Sequence, residues 1–150
     1  MIAAFFTVWM AVAPAAPVQR PDSAALRGVQ DSLDRVRGAA YNFRTDLGRA
    51  SPLVLYNRAQ RMRTSCLAAD RALVHLDSAL TAMYPAGTPA ALRRAARVLR
   101  GALADCRRDY DTAVHWDERA DSVRAWAPYR LRRLEEAMRS FVRAAVLPRR

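Results

Sequence analysis

The chain has 150 residues, enough for one domain with a substantial hydrophobic core, and two cysteines, too few for a small scaffold held by several disulfides. All 25 basic residues are arginine, against 14 acidic residues, and the net charge of +11 favours an anionic partner surface without saying which one. Abundant alanine, with five glycines and eight prolines, is typical of an all-helical fold.

The first twenty residues are predicted to be a separate apolar segment. No charge occurs from Ile2 to Val18, and the aromatic side chains of this stretch are Phe5, Phe6 and Trp9. The run is shorter than a membrane span, and Ala15 with its small neighbours is typical of a signal-peptide cleavage site, although the basic n-region is missing. The alternative is a retained anchor whose aromatic residues contact a membrane surface or a partner. Both alternatives predict export.

Residues 21–150 are predicted to form a single all-α domain. We expect an up-down-up-down helical bundle with three long helices in register and a shorter C-terminal fourth helix. Apolar residues recur in steps of three and four through residues 26–50, which predicts the first helix. Ser51 and Pro52, a typical N-cap and first helical residue, begin the second helix.

The second and third helices are predicted to fold back on one another about the turn at residues 85–87. In each helix the apolar residues spaced by three and four form a stripe, which we call its seam. The two seams run through residues 55–83 and 92–113, and each residue of one seam has a counterpart in the other at the same distance from the middle of the turn. Cys66 and Cys106 are one such pair, so we expect a disulfide between them on the buried face. The alternative is two free thiols in the core.

The predicted third helix continues past a slip in its seam at Ala113 and runs to Trp126. Pro128 then begins a fourth helix or bends the existing one, and the seam through residues 131–145 packs antiparallel on the third helix. In this arrangement the fourth helix covers the lower part of the bundle and leaves the upper part with three helices.

Two surfaces are therefore predicted to make contacts. The upper core layers, around Leu26, Leu76 and Leu99, either bind a partner or are covered by residues 1–20. A basic and aromatic corner at the start of the fourth helix suits a protein contact or a layer of anionic lipid headgroups. Its residues are Trp126, Tyr129, Arg130, Arg132 and Arg133.

No constellation of residues in the sequence predicts catalysis, a metal site or a cofactor. His75 and His115 are the only histidines, and the predicted register places them ~27 Å apart, too far to share a metal. The haem-attachment, di-iron, phosphate-loop and nucleophile-elbow motifs are absent. We therefore expect a non-enzyme with no cofactor, no small-molecule substrate and, for want of a recognition motif, no nucleic-acid partner.

Together these features favour a non-catalytic, membrane-extrinsic accessory or scaffold subunit on the periplasmic side, which bridges the proteins of a larger bacterial membrane complex. The extrinsic polypeptides that hold photosynthetic reaction-centre and light-harvesting rings together illustrate this class, although no residue motif points to that example. The alternative is a free periplasmic binding or chaperone-like module whose upper groove takes an apolar ligand or a peptide helix.

Overall fold

The computed structural model describes residues 23–84, 86–111 and 116–145, which form four α-helices. The helices are α1 (Ser23–Asp46), α2 (Pro52–Met83), α3 (Ala90–Asp111) and α4 (Trp116–Ala145). Each helix packs against the next, and α4 also contacts α1 and α2, so that the four enclose one core. The predicted all-α bundle with an inter-helix disulfide is confirmed. The predicted apolar segment, with Phe5, Phe6 and Trp9, lies outside the described residues.

The connections between the first three helices follow from local chemistry. Ser51 is the extended N-cap of α2 and Pro52 follows it at the first helical position, where proline's missing N–H leaves no hydrogen bond unmade. After α2, Gly87 adopts a φ of 104°, a left-handed conformation that favours glycine. Both breaks lie where the sequence predicts them.

The core is built from the predicted seams. Each of α1, α2 and α3 buries residues spaced by three or four, as an amphipathic helix in a bundle should. On α3 the buried alanine is Ala95, at 9% exposure, whereas the predicted seam residue Ala96 is partly buried. The largest fully buried side chains on the four helices include Phe43, Met62, Tyr110 and Phe141.

A disulfide joins Cys66 of α2 to Cys106 of α3 with their Cα atoms 6.5 Å apart. Both cysteines are buried, and Ala59 and Ala69 on the same face of α2 are completely buried. Small side chains let two helices approach closely enough for this bridge. The bond closes a sequence separation of 40 residues, which stabilises the fold by ~4 kcal/mol on the chain-entropy model.

The predicted boundary of the fourth helix is wrong. Helix α3 ends at Asp111, and α4 begins at Trp116 and continues through Pro128. With 30 residues α4 is longer than α1 and α3, so the predicted shorter fourth helix is also wrong. Pro128 is exposed, so the proline that interrupts the helical hydrogen bonds lies on the solvent side of α4.

The predicted uncovered upper core is also wrong in part. Leu76 and Leu99 are 1% and 0% exposed, and Leu26 is packed against the core as a partly buried residue. On α4, which runs from Trp116 to Ala145, Met138 and Phe141 are each 1% exposed. The large exposed apolar surface expected at this end is therefore not present among the described residues.

The disulfide yields a direct prediction about stability. In the variant Cys66→Ala/Cys106→Ala we expect the free energy of unfolding to fall by about 4 kcal/mol, because the unfolded chain regains the freedom that the bridge removes. Urea unfolding followed by far-UV circular dichroism measures this change. Wild type unfolded in the presence of a reducing agent should show the same loss. Equal stability of the oxidised, reduced and double-alanine proteins would contradict the prediction.

The continuity of α4 yields a second prediction. Pro128→Ala should increase the free energy of unfolding by about 1–2 kcal/mol, because proline inside a helix costs about 3 kcal/mol and part of this is offset in the unfolded state. Thermal unfolding measures the change, and Pro52→Ala, at a helix start, is the matched control that should show no gain. If Pro128 instead began a helix, its replacement would leave stability unchanged or reduce it.

Candidate functional site

The most distinctive polar site in the described structure lies between α3 and α4, at the predicted basic and aromatic corner. The corner divides into two groups. Trp126 and Arg130 face α3, where they contact Tyr110 and Asp109 respectively. Tyr129, Arg132 and Arg133 are exposed. The five corner residues therefore all lie on α4, but they do not form a single surface.

An aromatic cluster joins three helices beneath the corner. Tyr110 of α3 packs edge-on against Phe43 of α1, with ring centroids 5.2 Å apart, and at a tilt against Trp126 of α4, at 5.9 Å. Offset or edge-on ring pairs are favourable beyond the area they bury. Trp126, predicted to contact a partner, is thus partly buried inside the bundle and helps to position α4.

Asp109 is a carboxylate held mostly out of water between α3 and α4. Its side chain is 14% exposed, and its Oδ2 lies 3.4 Å from Nε of Arg130 in an ion pair. Burial raises the pKa of Asp109 above its usual range, although the positive charge of Arg130 acts in the opposite direction. Asp105 adds to the increase, while Arg108 and Arg133 oppose it.

The neighbouring hydroxyl of Tyr110 is also buried, and it forms no hydrogen bond with a described residue. Burial and the adjacent Asp109 both raise the pKa of Tyr110, so the phenol is neutral at physiological pH. A buried hydroxyl without a partner destabilises a fold by about 1–3 kcal/mol. The site therefore combines an ion pair and a neutral phenol in a largely apolar setting.

A cavity of about 20 Å³ lies beside these groups. Asp109, Tyr110, Arg130 and Arg133 line it, together with Cys106 of the disulfide. This volume accommodates about one water molecule. The site can hold a hydrated charge pair, and it has no room for an organic substrate in this conformation.

The outer part of the corner is basic and accessible. The guanidinium carbon of Arg133 lies 6.0 Å from the centre of the Tyr129 ring, a cation–π contact, and Tyr129 is 62% exposed. Arg132 is exposed and forms no ion pair with a described residue. These side chains are free to contact an anionic partner.

Arg124, two residues before Trp126 on α4, ties this helix to the bundle. Its Nε donates to the carbonyl oxygen of Leu47 at 3.0 Å, and its Nη2 donates to that of Ala50 at 3.4 Å. Both carbonyls lie just after the end of α1, where backbone oxygens lack helical partners. An arginine that looks like an ordinary surface residue in the sequence therefore closes the bundle between α1 and α4.

The described residues offer neither a metal site nor a membrane span. They contain no group of three or more histidine, cysteine, aspartate or glutamate side chains that could hold a metal ion. None of the described helices combines the length and the low polarity that crossing a bilayer requires. His115, one of the two histidines, lies outside the described residues.

Sequence reasoning missed the contact between Asp109 and Arg130. Both residues were visible as charges, but pairing them requires the register of α3 against α4, which depended on the misplaced helix boundary. The spacing of Asp105 and Asp109 was a signal of an acidic helix face, because two carboxylates four residues apart lie on the same side of a helix. Asp109 also precedes the seam residue Tyr110, which places it at the edge of the core.

The raised pKa of Asp109 predicts a pH-dependent effect of Asp109→Asn. A carboxyl group whose pKa is higher in the folded state destabilises the fold while it is ionised, and this effect disappears once it is protonated in both states. We therefore expect the variant to be more stable than wild type at pH 7. As the pH falls through the range in which Asp109 takes up its proton, the advantage should shrink towards zero.

Chemical unfolding at a series of pH values between 7 and 3 measures this difference. Asp34→Asn is the matched control, because Asp34 pairs with Arg37 at an exposed position on α1. The control should change stability little at any pH. A loss of stability in Asp109→Asn at pH 7 would mean that the Arg130 pair outweighs burial, contrary to the prediction.

Comparison with known proteins gives no assignment. No protein-family model, curated protein or solved structure matches the chain. The function must therefore be inferred from the residues and their arrangement.

Proposed function

We propose that the protein is a non-catalytic accessory or scaffold subunit that docks on a larger membrane complex from outside the bilayer, on the periplasmic side. The observation that carries the proposal is a row of arginines on the outer face of α4 that form no ion pair with a described residue. We name Arg132, Arg139 and Arg143 the α4 arginine face. The partner surface would be acidic, formed by proteins of the complex with a contribution from anionic lipid headgroups.

The pairing of charges in the bundle explains why this face is unpaired. The described residues form nine ion pairs between arginine and a carboxylate. Every carboxylate whose side chain is described takes part in one of them, except those of Asp31 and Glu136. The acidic residues are thus largely used within the protein, and the arginine excess remains available on the surface.

The α4 arginine face has the geometry of a docking stripe. Its residues are spaced by seven and by four, so they share one side of the helix and span ~16 Å. All three are exposed, and exposed Glu136 lies on the same side of the helix, four residues after Arg132 and three before Arg139. The face therefore keeps a net positive charge that an acidic partner would complement, and exposed Tyr129 beside the stripe supplies an aromatic contact of the kind common at interfaces.

The sequence supplies the argument for a membrane location. The uncharged stretch from Ile2 to Val18 predicts export, either as a signal or as a retained anchor. Export agrees with the disulfide, because such bonds persist in oxidising compartments. A basic exported protein close to a membrane would meet acidic surfaces on the complexes embedded there.

Charge reversal on the α4 arginine face tests the proposal. Native membranes of the source cells are solubilised in mild detergent and separated by size. Wild-type protein should migrate with a large complex and be released from it at high salt, because the contact is electrostatic. The variant Arg132→Glu/Arg139→Glu/Arg143→Glu should migrate as the free protein.

The matched control reverses three exposed arginines on α1 and α2 that form no ion pair with a described residue. The control variant is Arg35→Glu/Arg61→Glu/Arg71→Glu, which makes the same change in net charge on a different part of the surface. It should remain with the complex. Migration of wild type as a free protein in the extract would contradict the proposal, and equal release of the two variants would contradict the role of α4.

A further inference from the structure

The ion pairs between helices show which helix ends lie together. Asp46, the last residue of α1, pairs with Arg58 in the first turns of α2, and Asp109 near the end of α3 pairs with Arg130 in the first half of α4. The start of α1, the α2–α3 loop and the last turns of α4 therefore lie together at the opposite end of the bundle. We name this the basic end, and its described residues are 24–30, 73–84, 86–100 and 138–145.

The basic end has a large excess of positive charge. Its described residues include seven arginines and one carboxylate, that of Asp77, which lies 4.0 Å from Arg100. Five of the arginines are exposed and form no ion pair with a described residue: Arg93, Arg94, Arg97, Arg139 and Arg143. Towards the other end of the bundle, by contrast, Asp46, Asp111 and Asp121 each pair with an arginine.

Exposed apolar and aromatic side chains accompany the arginines at this end. Val98 of α3 and Tyr84, which follows α2, are both exposed. The loop sequence from Tyr84 to Pro89 contains no charged residue. Tyrosine is enriched where lipid headgroups meet water, because its ring is apolar and its hydroxyl group is polar. This end of the bundle therefore combines the residue types that suit the surface of an anionic bilayer.

The uncharged stretch from Ile2 to Val18 is connected to the bundle at this same end, because α1 begins at Ser23. Residues 19–22, which link the two, span at most ~14 Å even when fully extended. A chain that keeps the stretch as a membrane anchor thus keeps the basic end close to the headgroups. The position of this segment and the distribution of charge are independent observations, and both favour the same end.

We propose that the basic end contacts the anionic headgroups of a lipid bilayer, so that the helices extend away from the membrane surface. Arginine suits this contact because its guanidinium group forms two parallel hydrogen bonds with a phosphate. Several basic side chains beside an anionic bilayer also add their attractions. The arginines of α3 then serve as the lipid contact of a protein in which none of the described helices can span a membrane.

This inference rests on the proposed membrane-extrinsic function and adds an orientation to it. The α4 arginine face runs from Arg143, at the basic end, along the side of the bundle to Arg132. A protein that contacts lipid through its basic end can present this face to the neighbouring proteins of the membrane complex. The lipid contact and the protein contact are therefore tested with different variants.

Sedimentation of the full chain with lipid vesicles tests the proposal. One set of vesicles contains equal parts of phosphatidylglycerol and phosphatidylcholine, and the other contains phosphatidylcholine alone. We expect saturable binding to the anionic vesicles and release at high salt, because salt screens exposed charges. Binding to the neutral vesicles should be weaker by about tenfold or more, because they lack the surface potential that attracts the arginines.

The variant Arg93→Gln/Arg94→Gln/Arg97→Gln should bind the anionic vesicles about tenfold more weakly than wild type, because each lost arginine removes an attraction to the surface. The matched control is Arg35→Gln/Arg49→Gln/Arg61→Gln. It makes the same change in net charge at three exposed arginines outside the basic end that form no ion pair with a described residue. It should bind as wild type does, and circular dichroism confirms that both variants are folded.

Equal binding to anionic and neutral vesicles, or the same loss in both variants, would overturn the proposal. Release of the α3 variant from the membrane complex without vesicle binding by wild type would also overturn it, since the α3 arginines would then contact an acidic protein. Wild type that migrates with the complex but binds no vesicles would contradict the lipid contact alone. Wild type that binds anionic vesicles but migrates as a free protein in the extract would contradict the docking function alone.

Discussion

The close contact between α2 and α3, fixed by the disulfide between Cys66 and Cys106, is the constraint on which the rest of the structure depends. The bridge holds the two Cα atoms 6.5 Å apart in a fully enclosed layer and so sets the height of every seam residue along the pair. Helix α1 packs on α2 and α4 packs on α3, so each outer helix takes its position from this central hairpin. The register of this hairpin also fixes which residues meet at the α2–α3 contact and at the polar corner between α3 and α4.

Arginine determines the character of the surface. The acidic residues are mostly paired with arginines within the protein, and many of these pairs, such as Arg44 with Glu135 and Arg107 with Asp70, join different helices. Exposed ion pairs of this kind contribute little stability individually, but they neutralise most of the negative charge of the described residues. What remains is a positive surface concentrated on α3 and α4. The proposed docking on α4 depends on this imbalance.

The sequence predicted those parts of the fold that depend on local signals. The seams of α1 and α2, the start of α2 at Ser51 and Pro52, and the pairing of the cysteines all follow from spacing and turn chemistry. The sequence did not predict the boundary between α3 and α4. Residues 112–115 contain neither glycine nor proline to mark the end of a helix, whereas Pro128, the expected boundary, lies inside α4. The corner residues were found, but the inward contacts of Arg130 and Trp126 depend on tertiary register and could not be read from the sequence.

The most direct test of the central constraint is a proteolytic peptide map of the oxidised protein, cut without reduction and analysed by mass spectrometry. The peptides containing Cys66 and Cys106 should appear as one cross-linked species, which separates into two on reduction, and the folded protein should have no reactive thiol. Recovery of the two peptides as separate free thiols would contradict it, and the register of the α2–α3 hairpin would then lose its covalent anchor.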